Sequence, residues 1–344
     1  MIVAKLIKIK KFVLENEKIN KLKKDEVLVK VSSSAICGSD LHYFRHGALG
    51  SQKPNFPISL GHETCGIIAD KNNSNFKNYQ NIVIDPLDVS KCKHTKKILL
   101  GRCGFKKNLC PHQNYLGSFP TPGSFREYIQ IHKDQITVVN NQIDIKYGSM
   151  VEPCGIAQFA IERANINLYK ENKILILGSG AIGLLISSII KIHSGIEVTI
   201  IDCLKYRLNS AKKYFNSDYI INSNLKTSAK NLFDKFDVVF DCITNNNSIN
   251  LSIQALKKSG KLIIVGIPTS DFLKINPHKI RIKEIDLINV RRSKIDFKNT
   301  VELIIKNKIP IEKLVTHSFK LTSIQKAFNV ASRYSDQIIR GVIT

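Results

Sequence analysis

At 344 residues, with 43% hydrophobic and 23% charged residues, the chain is long enough for two domains and is composed like an ordinary globular protein, not a disordered or fibrous one. The 52 Lys and Arg against 28 Asp and Glu give a net charge of +24. They are scattered through Asn- and Ile-rich stretches such as KLIKIKKFVLENEKINKLKKD, never interleaved with aromatics as a base-stacking platform requires, which sets nucleic acid aside as a partner.

Taken in chain order, residues 1–150 read as a mainly β domain. DEVLVKVSSSAI, ETCGIIAD, QNIVIDP, SFREYIQI and DQITVV are strand-like and alternate with loops rich in Gly, Pro, Asn and His. The opening MIVAKLIKIKKF carries lysines every few residues and lacks the apolar stretch of a signal peptide, so a cytoplasmic protein is expected. Eight cysteines in such a chain point to thiols or metal ligands rather than a disulfide framework.

Over 151–290, short apolar runs alternate with helix-length amphipathic stretches. The expected strands are Lys173–Gly178, Glu197–Asp202, Asp218–Asn222, Phe236–Cys242, Lys261–Ile267 and Lys283–Val290. IGLLISSIIKIHS, KYRLNSAKKYF, AKNLFDKF and NSINLSIQALKKSG supply the helices between them, giving an α/β doubly wound parallel sheet. The apolar uncharged run of 17 residues, Ile174–Ile190, approaches the length of a membrane span. Gly178, Gly180 and Gly183 inside it read better as strand, turn and helix, so no membrane association is expected. Residues 291–344 end on IIRGVIT and are expected to return to the first domain and complete it.

Gly178-Ser179-Gly180-Ala181-Ile182-Gly183 is a G-x-G-x-x-G pattern that follows the strand KILIL and opens an apolar helix, the context in which it binds a dinucleotide. The first Gly permits the turn, the second lets backbone approach a pyrophosphate, and the third packs helix against strand. Asp202 ends the next strand, 19 residues after Gly183, where a carboxylate accepts both ribose hydroxyls and repels a 2′-phosphate. NAD is therefore expected over NADP, with Lys205 and Arg207 close behind working against that preference.

Cys37 in SSAICGSDLHYFRHGALG, His62 and Glu63 in SLGHETCG, and Glu152 in MVEPCG form a second constellation. Singly each has a plain structural reading: a small buried residue, a loop histidine, a solvated acid before proline. Together a thiolate, an imidazole and carboxylates suit a catalytic zinc with an open position, a Lewis acid that lowers the pKa of a bound alcohol.

CGSDLHY, GHETCG, VEPCGIA and GSGAIG, in this order and spacing, resemble the zinc-dependent medium-chain dehydrogenase/reductase family over essentially the whole chain. CGSDLHYFRHGALG with VEP, and LGSFPTPGSFREYI downstream, are most similar to its polyol branch, the sorbitol and L-idonate 5-dehydrogenases. The resemblance implies a mainly β GroES-like catalytic domain beside a Rossmann domain, and a homo-oligomer, dimer or tetramer. It implies Cys37, His62, Glu63 and Glu152 as zinc ligands, Glu63 being conditional. Ser39 matches the hydroxyl that contacts the substrate oxygen and starts a proton relay, and His42 stands where a relay or ribose-contacting histidine is expected. Tyr43 matches a residue lining the polyol pocket, with plain packing as its alternative, and Arg292 in NVRRSK matches an arginine for substrate hydroxyls or carboxylate, with Arg291 competing for the role. Gly178, Gly180, Ile182, Gly183, Asp202 and Arg207 make up the dinucleotide set.

The second, four-cysteine zinc lobe of the family is eroded. CKHTKKILLGRCGFKKNLC keeps Cys92 and Cys110, but Thr95 and Ile98 fill the middle positions and an extra Cys103 appears, so one zinc per chain is expected. The expected activity is hydride transfer from a secondary alcohol of a polyol or sugar acid, with L-idonate first, to NAD. Sorbitol or xylitol, threonine or a simple alcohol are the alternatives. A non-catalytic cofactor- or RNA-binding protein of the same fold is the rival from another class.

Overall fold

The computed structural model describes residues 1–92, 106–166, 172–193, 195–224 and 230–344. The chain forms two compact units, the first made of Met1–Glu152, Asp296–Lys306 and Leu314–Thr344, the second of Pro153–Ile295 and Asn307–Lys313.

The first unit opens with an antiparallel pair, β1 (Ile2–Lys8) and β2 (Lys11–Asn16). Its main strands are β3 (Glu26–Ala35), β4 (Glu63–Asp70) and β5 (Asn81–Ile84). A small ladder pairs β6 (Leu87–Asp88) with β7 (Asn114–Tyr115). After β8 (Tyr128–His132) and β9 (Ile136–Val138), the strands β16 (Val315–Phe319) and β17 (Arg340–Ile343) arrive from the end of the chain. The larger sheet runs β16-β17-β3-β4-β5-β9, with β8 paired to the first half of β3, over Glu26–Lys30. Helix α1 (Gly38–His46) leaves the end of β3. Ile324, Ala327, Phe328 and Ala331, recurring at helical spacing on the last helix, Ile324–Arg333, pack with Phe12, Phe44 and Phe125 in the core of this unit.

The second unit is a six-stranded parallel sheet of β10 (Lys173–Leu177), β11 (Glu197–Asp202), β12 (Tyr219–Asn222), β13 (Phe236–Asp241), β14 (Leu256–Ile264) and β15 (Asp286–Asn289). Its order, β12-β11-β10-β13-β14-β15, is the doubly wound order, with the switch point between β10 and β13. Ile174, Leu175, Ile176 and Leu177 are all buried, as a strand covered on both faces requires. The family's GroES-like plus Rossmann architecture is thus present.

Three local expectations are corrected. NSINLSIQALKKSG does not run on as helix: it stops at Ala255 because buried Leu256 pairs with Phe236 and starts β14 early. AKNLFDKF gives only a 3-10 turn, Lys230–Leu232, among its described residues, and Asp234 behind it has a φ of 57°. Lys283 closes a helix, Pro277–Lys283, whose Asn276 cap accepts the Lys279 N–H, so β15 begins only at Asp286.

Candidate functional site

At the end of β3 the chain turns through Ile36 and Cys37 into α1. The backbone N–H of Cys37 donates to Asp40 Oδ2 at 2.9 Å, and Gly61 N–H donates to Asp40 Oδ1 at 3.3 Å, so one buried carboxylate fastens the start of α1 to the segment before His62. His62 Nδ1 lies 3.7 Å from the same oxygen. Glu63, the first residue of β4, stands opposite Ala35 in the register, which brings it beside the Cys37 turn.

The ligand atoms of Cys37, His62 and Glu63 all lie within 4.8 Å of one another, the group of metal-binding character found among the described residues. Glu63 Oε1 pairs with Arg340 Nη2 at 3.2 Å, while Glu63 Oε2 is buried with no hydrogen-bond partner. Arg340 in turn donates from Nη1 to Ile36 O at 2.8 Å. Burial, reinforced by the Glu63 carboxylate, pushes the Cys37 thiol well up. Burial also raises Glu63, against the pull of Arg340 and His62. Glu152 is 6% exposed and is pushed up to about 7 by burial and then by Glu63. Its Oε1 accepts the Tyr115 hydroxyl at 3.1 Å. An orphaned carboxylate oxygen facing a thiol and an imidazole is what a divalent cation would satisfy, and the mixed S, N and O set fits zinc.

Ser39 and His42 lie three apart on α1, one turn along the same face, and both are half-buried. Burial, then His46 and Arg45, lower the His42 pKa. Tyr43 is 2% exposed within the aromatic core of the unit, and its hydroxyl donates to Gln52 Oε1 at 3.0 Å. Arg292 follows β15 in the second unit with a φ of 54° and is half-buried, whereas Arg291 is exposed. Cys92 and Cys110 are buried together with Leu87 and Val89, while His94, Thr95, Ile98 and Cys103 lie outside the described residues.

In the second unit, Gly178 has a φ of 95° and directly follows β10. A Cβ on Gly183 would lie 2.0 Å from Gly178 O, so the helix Ala181–Ile190 can seat against the turn only with glycine there. A Cβ on Gly180 would meet nothing nearer than Arg207 Nη1 at 3.7 Å, which leaves the loop crest open to a phosphate. Asp202 Oδ2 accepts the Ser179 N–H at 2.8 Å and Oδ1 the Leu204 N–H at 2.9 Å. Ser179 Oγ is buried without a partner, and Ile182 sits in the first turn of the helix. This cradle fits the pyrophosphate half of a dinucleotide.

Sequence reasoning missed Asp40, Tyr115 and Arg340. The readable signals were an acid three residues after Cys37, the spacing of a helix-start box, and a lone arginine inside the apolar IIRGVIT. For Tyr115 no local signal existed.

Residues 23–141 match the alcohol dehydrogenase GroES-like domain, and residues 181–306 match the zinc-binding dehydrogenase domain. The chain is 30% identical over 336 residues to YdjJ of Escherichia coli strain K12, an uncharacterised zinc-type alcohol dehydrogenase-like protein, covering 93% of this chain and 92% of that protein. It is 27% identical over 327 residues to sorbitol dehydrogenase of Bacillus subtilis strain 168, covering 93% and 90%. The crystal structure of L-idonate 5-dehydrogenase from Escherichia coli shares its fold, with a TM-score of 0.88 at 23% identity over 100% of this chain and 97% of that one. Among the described residues no helix is long and apolar enough to cross a membrane. With the two family domains in sequence and a relative of this similarity over nearly its whole length, the chain belongs to the zinc-dependent medium-chain alcohol dehydrogenases, oxidoreductases acting on CH–OH groups.

Proposed function

We propose that this chain oxidises a secondary alcohol of a polyol or sugar acid to the ketone with NAD as acceptor, L-idonate to 5-ketogluconate being the first pair to test. The observation that carries the reading is the convergence of Cys37, His62 and Glu63 within 4.8 Å around the orphaned Glu63 Oε2. Zinc held there supplies Lewis acidity toward the substrate hydroxyl, and NAD supplies the two-electron acceptor. Cys37 and His62 are the anchoring donors, and Arg340 holds Glu63 in place. Ser39 would take the hydroxyl proton and His42 would pass it outward, and the hydride would go to the acceptor that bound NAD would supply. Ser179, Gly180 and Gly183 receive the pyrophosphate, and Asp202, with Arg207 beside it, receives the adenosine ribose. Arg292 engages a substrate hydroxyl or carboxylate.

The resemblance of CGSDLHYFRHGALG and LGSFPTPGSFREYI to L-idonate 5-dehydrogenase and the +24 charge support an anionic sugar acid. The Bacillus relative supports neutral sorbitol or xylitol as the second reading. The family resemblance also favours a homo-oligomer in the cytoplasm. NAD reduction across a panel of polyols and aldonates, with metal analysis of the same sample, tests the substrate, cofactor and metal readings. Turnover of an aldonate with one zinc per chain is expected. Absence of turnover with every secondary alcohol, in zinc-replete protein that binds NADH, would overturn the reading.

A further inference from the structure

Glu152 stands beside the Cys37–His62–Glu63 group but outside the set of donors that lie within 4.8 Å of one another. One of its oxygens is already engaged, by the hydroxyl of Tyr115 at 3.1 Å. Tyr115 is well placed to hold it. Its strand, β7, is paired to β6 with Tyr115 opposite Leu87, and the ring packs against the buried cluster of Leu87, Val89, Cys92 and Cys110. The same ring lies 5.5 Å from the His62 imidazole, tilted by 51°, so the phenol spans the side of the site between the histidine and Glu152. A carboxylate tied at one oxygen to a fixed phenol cannot swing freely onto a cation.

We propose that Tyr115 is a positioning residue that keeps Glu152 beside the metal rather than among its ligands, leaving one coordination place for the substrate hydroxyl. The inference rests on the reading of Cys37, His62 and Glu63 as a metal centre and concerns how that centre stays open. A catalytic zinc site has three protein ligands and a free position, so a fourth protein ligand closes it. Removal of the phenol oxygen frees the Glu152 carboxylate to take that place. An ordinary supporting hydrogen bond has the opposite sign, because losing the outer partner of a ligand weakens metal binding by about 10–100-fold.

The test compares wild-type, Tyr115→Phe, Glu152→Gln and the double variant, all as full-length protein, by competition for zinc with a chelator and by the visible spectrum of the cobalt(II) form. Tyr115→Phe keeps the ring and its packing. It should bind zinc roughly tenfold more tightly as Glu152 joins the shell. Its cobalt bands should shift as a carboxylate replaces solvent in the open place, and KM for the substrate should increase. Glu152→Gln should erase the gain in the double variant. Unchanged or weakened zinc binding in Tyr115→Phe, or a gain that survives Glu152→Gln, overturns the proposal with the metal centre intact. A wild-type protein that takes up no zinc at all overturns the metal centre, and the proposal with it.

Discussion

Asp202 accepts the backbone N–H of Ser179 at 2.8 Å, so the acid proposed to receive the ribose is also the strut of the glycine turn. On the proposed reading, selectivity and loop order depend on one carboxylate. Asp202→Gly should raise the NADP-to-NAD ratio of kcat/KM roughly tenfold or more by removing a like charge from the 2′-phosphate. It should also lower activity with both cofactors, because the Ser179 amide loses its acceptor. Asp202→Ser keeps an acceptor and should lose less. Steady-state kinetics with both dinucleotides decide the matter. A wild-type preference for NADP would mean that Arg207, whose Nη1 lies 3.7 Å from the Cβ position of Gly180, sets the selectivity instead.

Cys37→Ser and His62→Ala should abolish turnover while NADH binding, read by its fluorescence, stays near wild type. The metal donors belong to the first unit and the glycine turn to the second, so the two binding events use separate residues. Near-normal turnover by metal-free Cys37→Ser would refute a metal-dependent reaction.

Arg340→Met should lower stability by about 3–5 kcal/mol, because Glu63 would be left buried and charged opposite an apolar side chain. Arg340→Met with Glu63→Gln should recover much of that loss. Thermal midpoints of the four proteins in the cycle give the answer, and additive losses would show that the pair is not coupled.

The metal-free protein should become less stable as pH rises from about 4.5 toward 7. Burial raises Glu152 to about 7 in the fold against 4.5 for the free side chain, so the folded state holds a proton that the unfolded state has given up, and the stability slope there is negative. The effect is on the order of a few kcal/mol. Denaturant titrations at several pH values should show it. The slope should flatten in Glu152→Gln and on zinc loading, and a metal-free protein equally stable at pH 5 and pH 7.5 would contradict it.

Protein purified without chelator should carry one zinc per chain. Cys92 and Cys110 pack with Leu87 and Val89 as small apolar residues, and two of the family's four thiolate positions are Thr95 and Ile98. Elemental analysis approaching two zinc ions per chain, with one lost in Cys110→Ser, would establish a second site.

The grouping of Cys37, His62 and Glu63 was legible because CGSDLHY and GHETCG resemble the family's motifs, although singly each residue has a plain structural reading. The parallel sheet was legible because doubly covered strands are unbroken apolar runs, as in KILIL. What escaped depends on contacts distant in sequence. Nothing near Arg340 announces Glu63, and nothing near Tyr115 announces Glu152, because tertiary pairing alone creates those relationships. The helix Pro277–Lys283 escaped for a different reason. Its Asn-Pro start was visible, but the apolar residues of RIKEIDLINV blend into the strand behind it.

Strand β17 delivers Arg340 to Glu63 across 277 positions of chain, with the whole second unit made in between. During translation Cys37, His62 and Glu63 emerge early, yet the cation that balances Glu63 is made only after the whole second unit. The nascent first unit thus carries exposed thiol and carboxylate groups in an unfinished sheet throughout synthesis of the second. Since contacts of such separation form late, the Glu63–Arg340 pair closes only after the second unit has been synthesised.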